Sequence, residues 1–277
     1  MHRIAIWATK GGVGKSTVTA GLAHGLRDLN FKVGAMDLDI TSTGLHRAFN
    51  LPPDLRLPLD TAAERILPLE IDGVKLFCLA WKLTEDACVG WREEGREATV
   101  LGEQRYIPGR RDFLTEILTR TVEWGELDFL LYDLPPSSGV ETWVFFDSTP
   151  DLHGVIVVSQ PSEISIVGLK KTIDFLKREE RPILGLVENM AFYLCPHCGK
   201  ESYPFSSPGK DLKHFAKHQG VPFLGSLPQS ANTELLKPYF AQLAETVKGA
   251  TPRVLKSDIR SLRRRVERGV IKGVLRL

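Results

Sequence analysis

Long apolar runs are missing from this chain. No stretch approaches the roughly 18 residues that a membrane-spanning helix needs, so no helical membrane anchor is expected. Cysteine is scarce, four in 277 residues, which argues against a disulfide framework and leaves any role for these thiols to individual placement. An excess of one charge is lacking too. The 36 Lys and Arg stand against 34 Asp and Glu, a formal net charge of +2, so overall charge gives no reason to expect nucleic-acid binding. There is no internal repeat and no low-complexity tract. Met1-His2-Arg3-Ile4 leads straight into a strand-like segment without the order of a signal peptide, and a cytoplasmic location is the expectation.

What remains is an ordinary globular composition, 43% hydrophobic and 25% charged, in a chain long enough for a large core. Short apolar runs recur at residues 4–7, 32–36, 74–80, 129–132, 154–159, 183–187 and 222–226. Helical spacing separates many of them, at 16–29, 111–121, 165–178, 210–219 and 233–247. Strands that are apolar throughout, alternating with helices, predict an α/β fold: a mainly parallel, doubly wound sheet with helices on both faces. Residues 84–110, rich in Glu, Arg and Gly and containing Trp91, read as a surface loop or small insertion.

The first strand-like run is followed by Lys10-Gly11-Gly12-Val13-Gly14-Lys15-Ser16-Thr17 and then by a helical pattern. Strand, glycine-rich loop and helix in that order make a phosphate-binding loop, although Thr9 stands at the usual first glycine. Gly11, Gly12 and Gly14 let backbone N–H groups converge on phosphate oxygens, and the following helix adds its positive end. Lys15 is placed for the β- and γ-phosphates, and the Ser16 hydroxyl for Mg²⁺. Asp37 and Asp39 end the second strand, and Asp133 ends the run at 129–132, where open α/β sheets carry their chemistry. Any one of these aspartates could merely close a strand; with the phosphate loop they form a nucleotide-site constellation.

The additional Lys10 makes the loop resemble the deviant phosphate loop of the MinD/ParA class of dimeric ATPases. That resemblance implies an ATP-bound homodimer in which Lys10 serves the partner's nucleotide, as an arginine finger does. It also implies that Asp39 orients the attacking water, Asp37 supports the Mg²⁺ shell, Asp133 holds Mg²⁺ through water, and Asn189 contacts the base. Within the class, Leu184 to Gly199 (LGLVENMAFYLCPHCG) resembles the Mrp/ApbC group of iron–sulfur carrier ATPases, as do Trp124 to Asp128 and Gly220 to Pro228. The likeness spans roughly residues 3–245 and implies client apo iron–sulfur proteins as partners, with either a second copy or a related subunit.

Cys195 and Cys198 supply two soft thiolates at chelating spacing. A 4Fe–4S cluster commonly takes four thiolates, so two copies of the chain would complete one shared, labile cluster. Zinc held between two copies fits the same donors, and His197 is an alternative ligand. Cys78 lies in a strand-like run and reads as core; Cys88 has no assigned role.

The chain departs from the Mrp/ApbC pattern after Asp133, where Ser137-Ser138-Gly139-Val140-Glu141 replaces G-T-G-D, and at Trp91-Arg92-Glu93-Glu94. The expected organisation is an ATPase domain over residues 1–250, with the Cys-x-x-Cys insertion near 189–205, and a basic amphipathic helix or tail over 251–277. In that tail Leu255, Ile259, Leu262, Val266, Val270 and Val274 recur at helical spacing around Arg263-Arg264-Arg265. It would either pack on the body or contact an acidic partner, a membrane surface or nucleic acid. The second of these underlies the competing reading, a ParA/MinD-like positioning switch.

Overall fold

The computed structural model describes residues 1–39, 44–52, 55, 59–60, 65–78, 96–100, 103–107, 114–118, 122–136, 139–203 and 212–256. Its centre is a sheet of nine strands: β1 (His2–Trp7), β2 (Val33–Asp37), β3 (Leu69–Ile71), β4 (Val74–Cys78), β5 (Phe129–Asp133), β6 (Gly154–Ser159), β7 (Pro182–Glu188), β8 (Phe223–Ser226) and β9 (Arg253–Val254). The spatial order is β8-β7-β6-β1-β5-β2-β4-β3, with β9 also on β7. Pairing is parallel except for β3 on β4 and β9 on β7.

The sheet is mainly parallel because its strands are apolar on both faces. In β1, Ile4 and Ile6 face one core, while Ala5 and Trp7 face the other. Such strands are stable only when covered twice. One face is covered by α1 (Lys15–Asp28), through Val18, Leu22 and Leu26, and by a C-terminal helix, through Leu243, Ala244 and Val247. The other is covered by α3 (Val140–Ser148) and α4 (Glu163–Arg178), with Trp7, Phe145, Phe146 and Phe175 stacked edge to face. Further helices are α2 (Gly44–Ala48), α5 (Leu212–Gln219) and α6 (Lys237–Lys248), the last being the C-terminal helix on the first face.

The doubly wound parallel architecture read from the sequence is the one found. Several local expectations change. Helix α4 starts at Glu163, two residues before its predicted start, because Ser162 caps it by accepting the Ser165 N–H. The stretch 233–247 is not one helix: Thr233–Leu236 is a 3₁₀ turn capped by Asn232, and α6 follows. Helix α3 was not foreseen, since Thr142, Val144, Phe145 and Phe146 are buried and leave no clear polar face to betray its period. Within the predicted surface loop at 84–110, Arg96–Val100 and Glu103–Ile107 pair as an antiparallel hairpin. Trp91, Cys88, Ser137, Ser138 and the tail from residue 257 lie outside the described residues.

The start of the predicted tail belongs to the body. Arg253 and Val254 pair with Ile183 and Pro182, and Leu255 packs on the core around α4 and α5. Leu255 is therefore a core contact that follows a strand.

Helices α1 and α6 approach closely over Gly25. A Cβ at Gly25 would sit 2.7 Å from the Phe240 carbonyl oxygen and 3.0 Å from Ala244 Cβ. Alanine ordinarily gains about 1 kcal/mol over glycine inside a helix. Here backbone obstructs it, and Gly25→Ala is expected to cost about 1–3 kcal/mol. Chemical denaturation checks this; a stabilised variant would show that the two helices separate freely.

Candidate functional site

β1 delivers the chain at Trp7 to the glycine loop, and α1 begins at Lys15 with Gly14 as its N-cap. Gly12 (φ 75°) and Gly14 (φ 86°) adopt left-handed backbone that disfavours a side chain. At Gly14 space is also closed, because a Cβ would collide with the Asn189 amide. Loop N–H groups and the positive end of α1 thus meet in one anion cradle.

Two amide side chains hold the outer side of that loop. Gln160, just past β6, donates from Nε2 to the Gly12 carbonyl at 3.1 Å. Asn189, just past β7, donates from Nδ2 to the Val13 carbonyl at 2.9 Å. Consecutive peptide planes are fixed by neighbouring strands, which pre-organises the cradle before an anion arrives.

Asp37 and Asp133 are register partners on β2 and β5, 1% and 2% exposed. Asp37 accepts the Asp39 N–H at 2.9 Å on one oxygen and the Leu45 N–H at 3.0 Å on the other. Burial pushes its carboxyl well above the ordinary range, and the neighbouring Asp133 adds to this. Burial also raises Asp133, to about 6, against the downward pull of the Ser16 hydroxyl and the Lys15 ammonium. Asp133 Oδ1 is buried and has no hydrogen-bond partner among the described residues. An orphaned carboxylate oxygen beside Ser16 and Lys15 fits a hard divalent cation such as Mg²⁺. Asp39 lies two residues beyond Asp37 and is 9% exposed.

Lys10 reaches to α4, donating from Nζ to Ser165 Oγ at 2.9 Å. Thr9 is tied to the same helix: its N–H donates to Thr172 Oγ1 at 3.1 Å and its hydroxyl to the Gly168 carbonyl at 3.0 Å.

The thiol pair sits on a hairpin. Tyr193 and Leu194 pair antiparallel with Ser202 and Glu201, and the turn between them carries Cys195 to Gly199. Gly199 (φ 67°) closes it, its N–H donating to the Cys195 carbonyl at 2.8 Å, while the Cys195 N–H donates to the Lys200 carbonyl at 3.0 Å. Backbone N–H groups of Cys198 and His197, together with the Cys198 thiol, point at the Cys195 sulfur and lower its pKa. Such N–H···S contacts favour thiolate, the form that ligates soft metals. Among the described residues no group of three or more Cys, His, Asp and Glu is placed to hold a metal ion.

Hairpin and cradle are joined by a short, pinned segment. From Asn189 the chain runs through Met190 (φ 55°) to Ala191, whose N–H donates to Leu227. Leu194 donates to Gln229, Gln229 donates back to Phe192, and Ser230 Oγ donates to the Leu194 carbonyl.

The structure therefore gathers Gly11 to Ser16, Asp37, Asp39, Asp133 and Asn189 at one end of the sheet, with Thr17 on the exposed side of α1. The thiol pair stands apart on its hairpin. Gln160, Ser162 and Ser165 were missed; the only local signal was Pro161-Ser162-Glu163, a helix-start pattern after a strand.

Loop, flanking carboxylates and sheet order together are those of the P-loop NTPase class of fold. More narrowly, residues 1–247 match the model described as ParA: NUBPL iron-transfer P-loop NTPase, and the chain belongs to that family. It is 36% identical over 228 residues to the iron–sulfur cluster carrier protein of Aquifex aeolicus, covering 82% of this chain and 57% of that one. It is 35% identical over 228 residues to the carrier of Methanocaldococcus jannaschii, covering 82% and 72%. The chain thus spans little more than half of the Aquifex relative. A nucleotide-binding protein from Archaeoglobus fulgidus, solved with ADP, superposes with a TM-score of 0.63 at 28% identity, over 89% of this chain and 88% of the other.

Burial raises the folded pKa of Asp133, so folding disfavours its charged form relative to the unfolded chain. Its stabilising contribution is complete below the ordinary value of 3.8 and is lost as pH rises through about 6. Asp133→Asn is therefore expected to stabilise the nucleotide-free protein at pH 8 by up to about 3 kcal/mol. The gain should vanish near pH 4, and stabilisation by Mg²⁺-nucleotide should be lost. Urea melts at both pH values measure it; equal effects at the two would be the wrong outcome.

Proposed function

We propose that this protein is an ATP-binding and ATP-hydrolysing carrier of an iron–sulfur cluster. The cluster, a 4Fe–4S unit, is cargo held between the Cys195–Cys198 pairs of two subunits and passed to apoproteins in the cytoplasm. The observation that carries this reading is the pinned segment from Asn189 on the phosphate loop to Cys195 on the hairpin. It gives nucleotide binding a direct mechanical connection to the thiols.

The nucleotide's phosphates occupy the cradle of Gly11 to Ser16, with Lys15 on the β- and γ-phosphates and Asn189 toward the base. Thr17 completes the loop's polar edge. Ser16, Asp133 and, in the outer shell, Asp37 would hold Mg²⁺, which supplies charge neutralisation on the phosphate oxygens. Asp39 orients a water in line with the γ-phosphorus. That water forms the new P–O bond while the bond to the β-phosphate oxygen breaks, giving ADP and phosphate. Lys10 of one subunit compensates the charge that develops at the partner's γ-phosphate. The ADP-bound Archaeoglobus neighbour and the named cluster carriers among the relatives support this assignment. The same two thiols accept zinc, so the cargo is defined by anaerobic loading.

Anaerobic reconstitution with iron and sulfide is expected to give a charge-transfer absorbance band and about two iron atoms per chain, half of one shared cluster. The double variant Cys195→Ala, Cys198→Ala should lose both. Asn189→Ala should still load but no longer change its retention of iron on adding ATP. Wild type that holds only zinc under these conditions would end the carrier reading.

A further inference from the structure

His214 and His218 lie about one turn apart on α5, and both are exposed. Their Nε2 atoms face each other at 2.8 Å, with ring centroids 4.4 Å apart and ring planes at 75°. Two ring nitrogens meet at that distance only with something electropositive between them. Two bare lone pairs would repel, and two N–H groups would collide. One shared proton satisfies the pair, and so does one metal ion.

The helix beneath the two rings is held firmly. Leu212 and Ala216, on its inner side, are fully buried, and Phe215 packs on the core. Its C-terminal end is tied down twice. Lys177 of α4 donates from Nζ to the Gln219 carbonyl at 3.1 Å and to Gln219 Oε1 at 3.2 Å. The Val221 N–H donates to the Ala216 carbonyl at 3.0 Å. The spacing of the two rings is therefore set by the fold before any ion arrives.

Nitrogen donors define the class of ligand. Imidazole suits borderline ions such as Co²⁺, Ni²⁺, Cu²⁺ and Zn²⁺, whereas Mg²⁺ and Ca²⁺ take oxygen. Two nitrogens bound to one such ion at about 2.0–2.1 Å stand about 3.0–3.4 Å apart. Small rotations of the exposed rings open the observed gap to that span. Among the described residues no third Cys, His, Asp or Glu joins the pair, so water or an added ligand would fill the other positions. Lys213 and Lys217 on the same helix are exposed and do not attract a cation. Selection here rests on coordination rather than on charge.

We infer that His214 and His218 form a chelate for one borderline divalent transition-metal ion, built from residues other than the Cys195–Cys198 pair. The ion clips successive turns of α5 together and keeps open positions for a further ligand. Zinc or nickel counted in the purified protein is then not all bound by thiols. The inference stands independently of the carrier reading.

Calorimetric titration of Ni²⁺ into the full chain at neutral pH tests this, in the Cys195→Ala, Cys198→Ala background so that the thiols do not compete. About one ion per chain should bind, and an excess of Mg²⁺ should not displace it. His214→Ala and His218→Ala should each weaken binding roughly tenfold or more, and removing both should weaken it little further, because either loss already destroys the chelate. Ni²⁺ should raise the thermal midpoint of the parent but not of the single variants. The midpoint without metal reports folding; if an alanine variant proves unfolded, His218→Gln takes its place. Binding that survives loss of both histidines, or small losses that simply add, overturns the inference. Iron loading plays no part in this measurement, so the carrier reading and the histidine chelate fail separately.

Discussion

Two carboxylates set opposite each other in a dry place are the constraint around which this site is built. Asp37 and Asp133 face one another in register on β2 and β5, and burial disfavours charge on both. The fold tolerates them because Asp37 takes two backbone N–H groups and Asp133 has Ser16 and Lys15 nearby. A buried oxygen of Asp133 is left over. The site is therefore most stable when cations arrive with the ligand. Proteins that bind a highly charged nucleotide commonly keep this kind of unrelieved strain, since binding energy relieves it.

Everything nearby holds that arrangement still. The glycine loop would otherwise have freedom to collapse, and Gln160 and Asn189 remove it by engaging two successive carbonyls. Both side chains sit at strand ends, so the precision of the sheet is handed to the loop. Asn189 then has a second duty. The chain leaves it through a left-handed Met190 and is pinned at Ala191 by Leu227 and at Leu194 by Gln229 and Ser230 before it reaches Cys195.

What could be read from the sequence was whatever is local. Lys10 to Thr17, Asp37, Asp133 and Cys195 to Cys198 announce themselves because the chemistry needs those residues at short, fixed spacings. The parallel sheet was legible because strands buried on both faces have no polar side to confuse the pattern. Gln160 and Ser165 were not legible, since their partners Gly12 and Lys10 lie 148 and 155 residues away. Helix α3 hid for a related reason: with Val144, Phe145 and Phe146 all buried, its residues carry no clear periodicity. The tail boundary was drawn by charge, yet Arg253, a basic residue, is part of a strand.

That last detail bears on how the molecule behaves if shortened. On one side of β7, β8 pairs its C-terminal half through Leu186 to Glu188, and β9 pairs its beginning through Pro182 and Ile183. Between them they cover an edge of the sheet that would otherwise offer free N–H and C=O groups to any passing strand. A chain cut at residue 250, where composition alone suggests the body ends, would leave Pro182 and Ile183 at the start of β7 without their strand partner. Copies that paired there would associate through strand ends far from the phosphate loop, and a dimer seen in such material would report a wound rather than a switch.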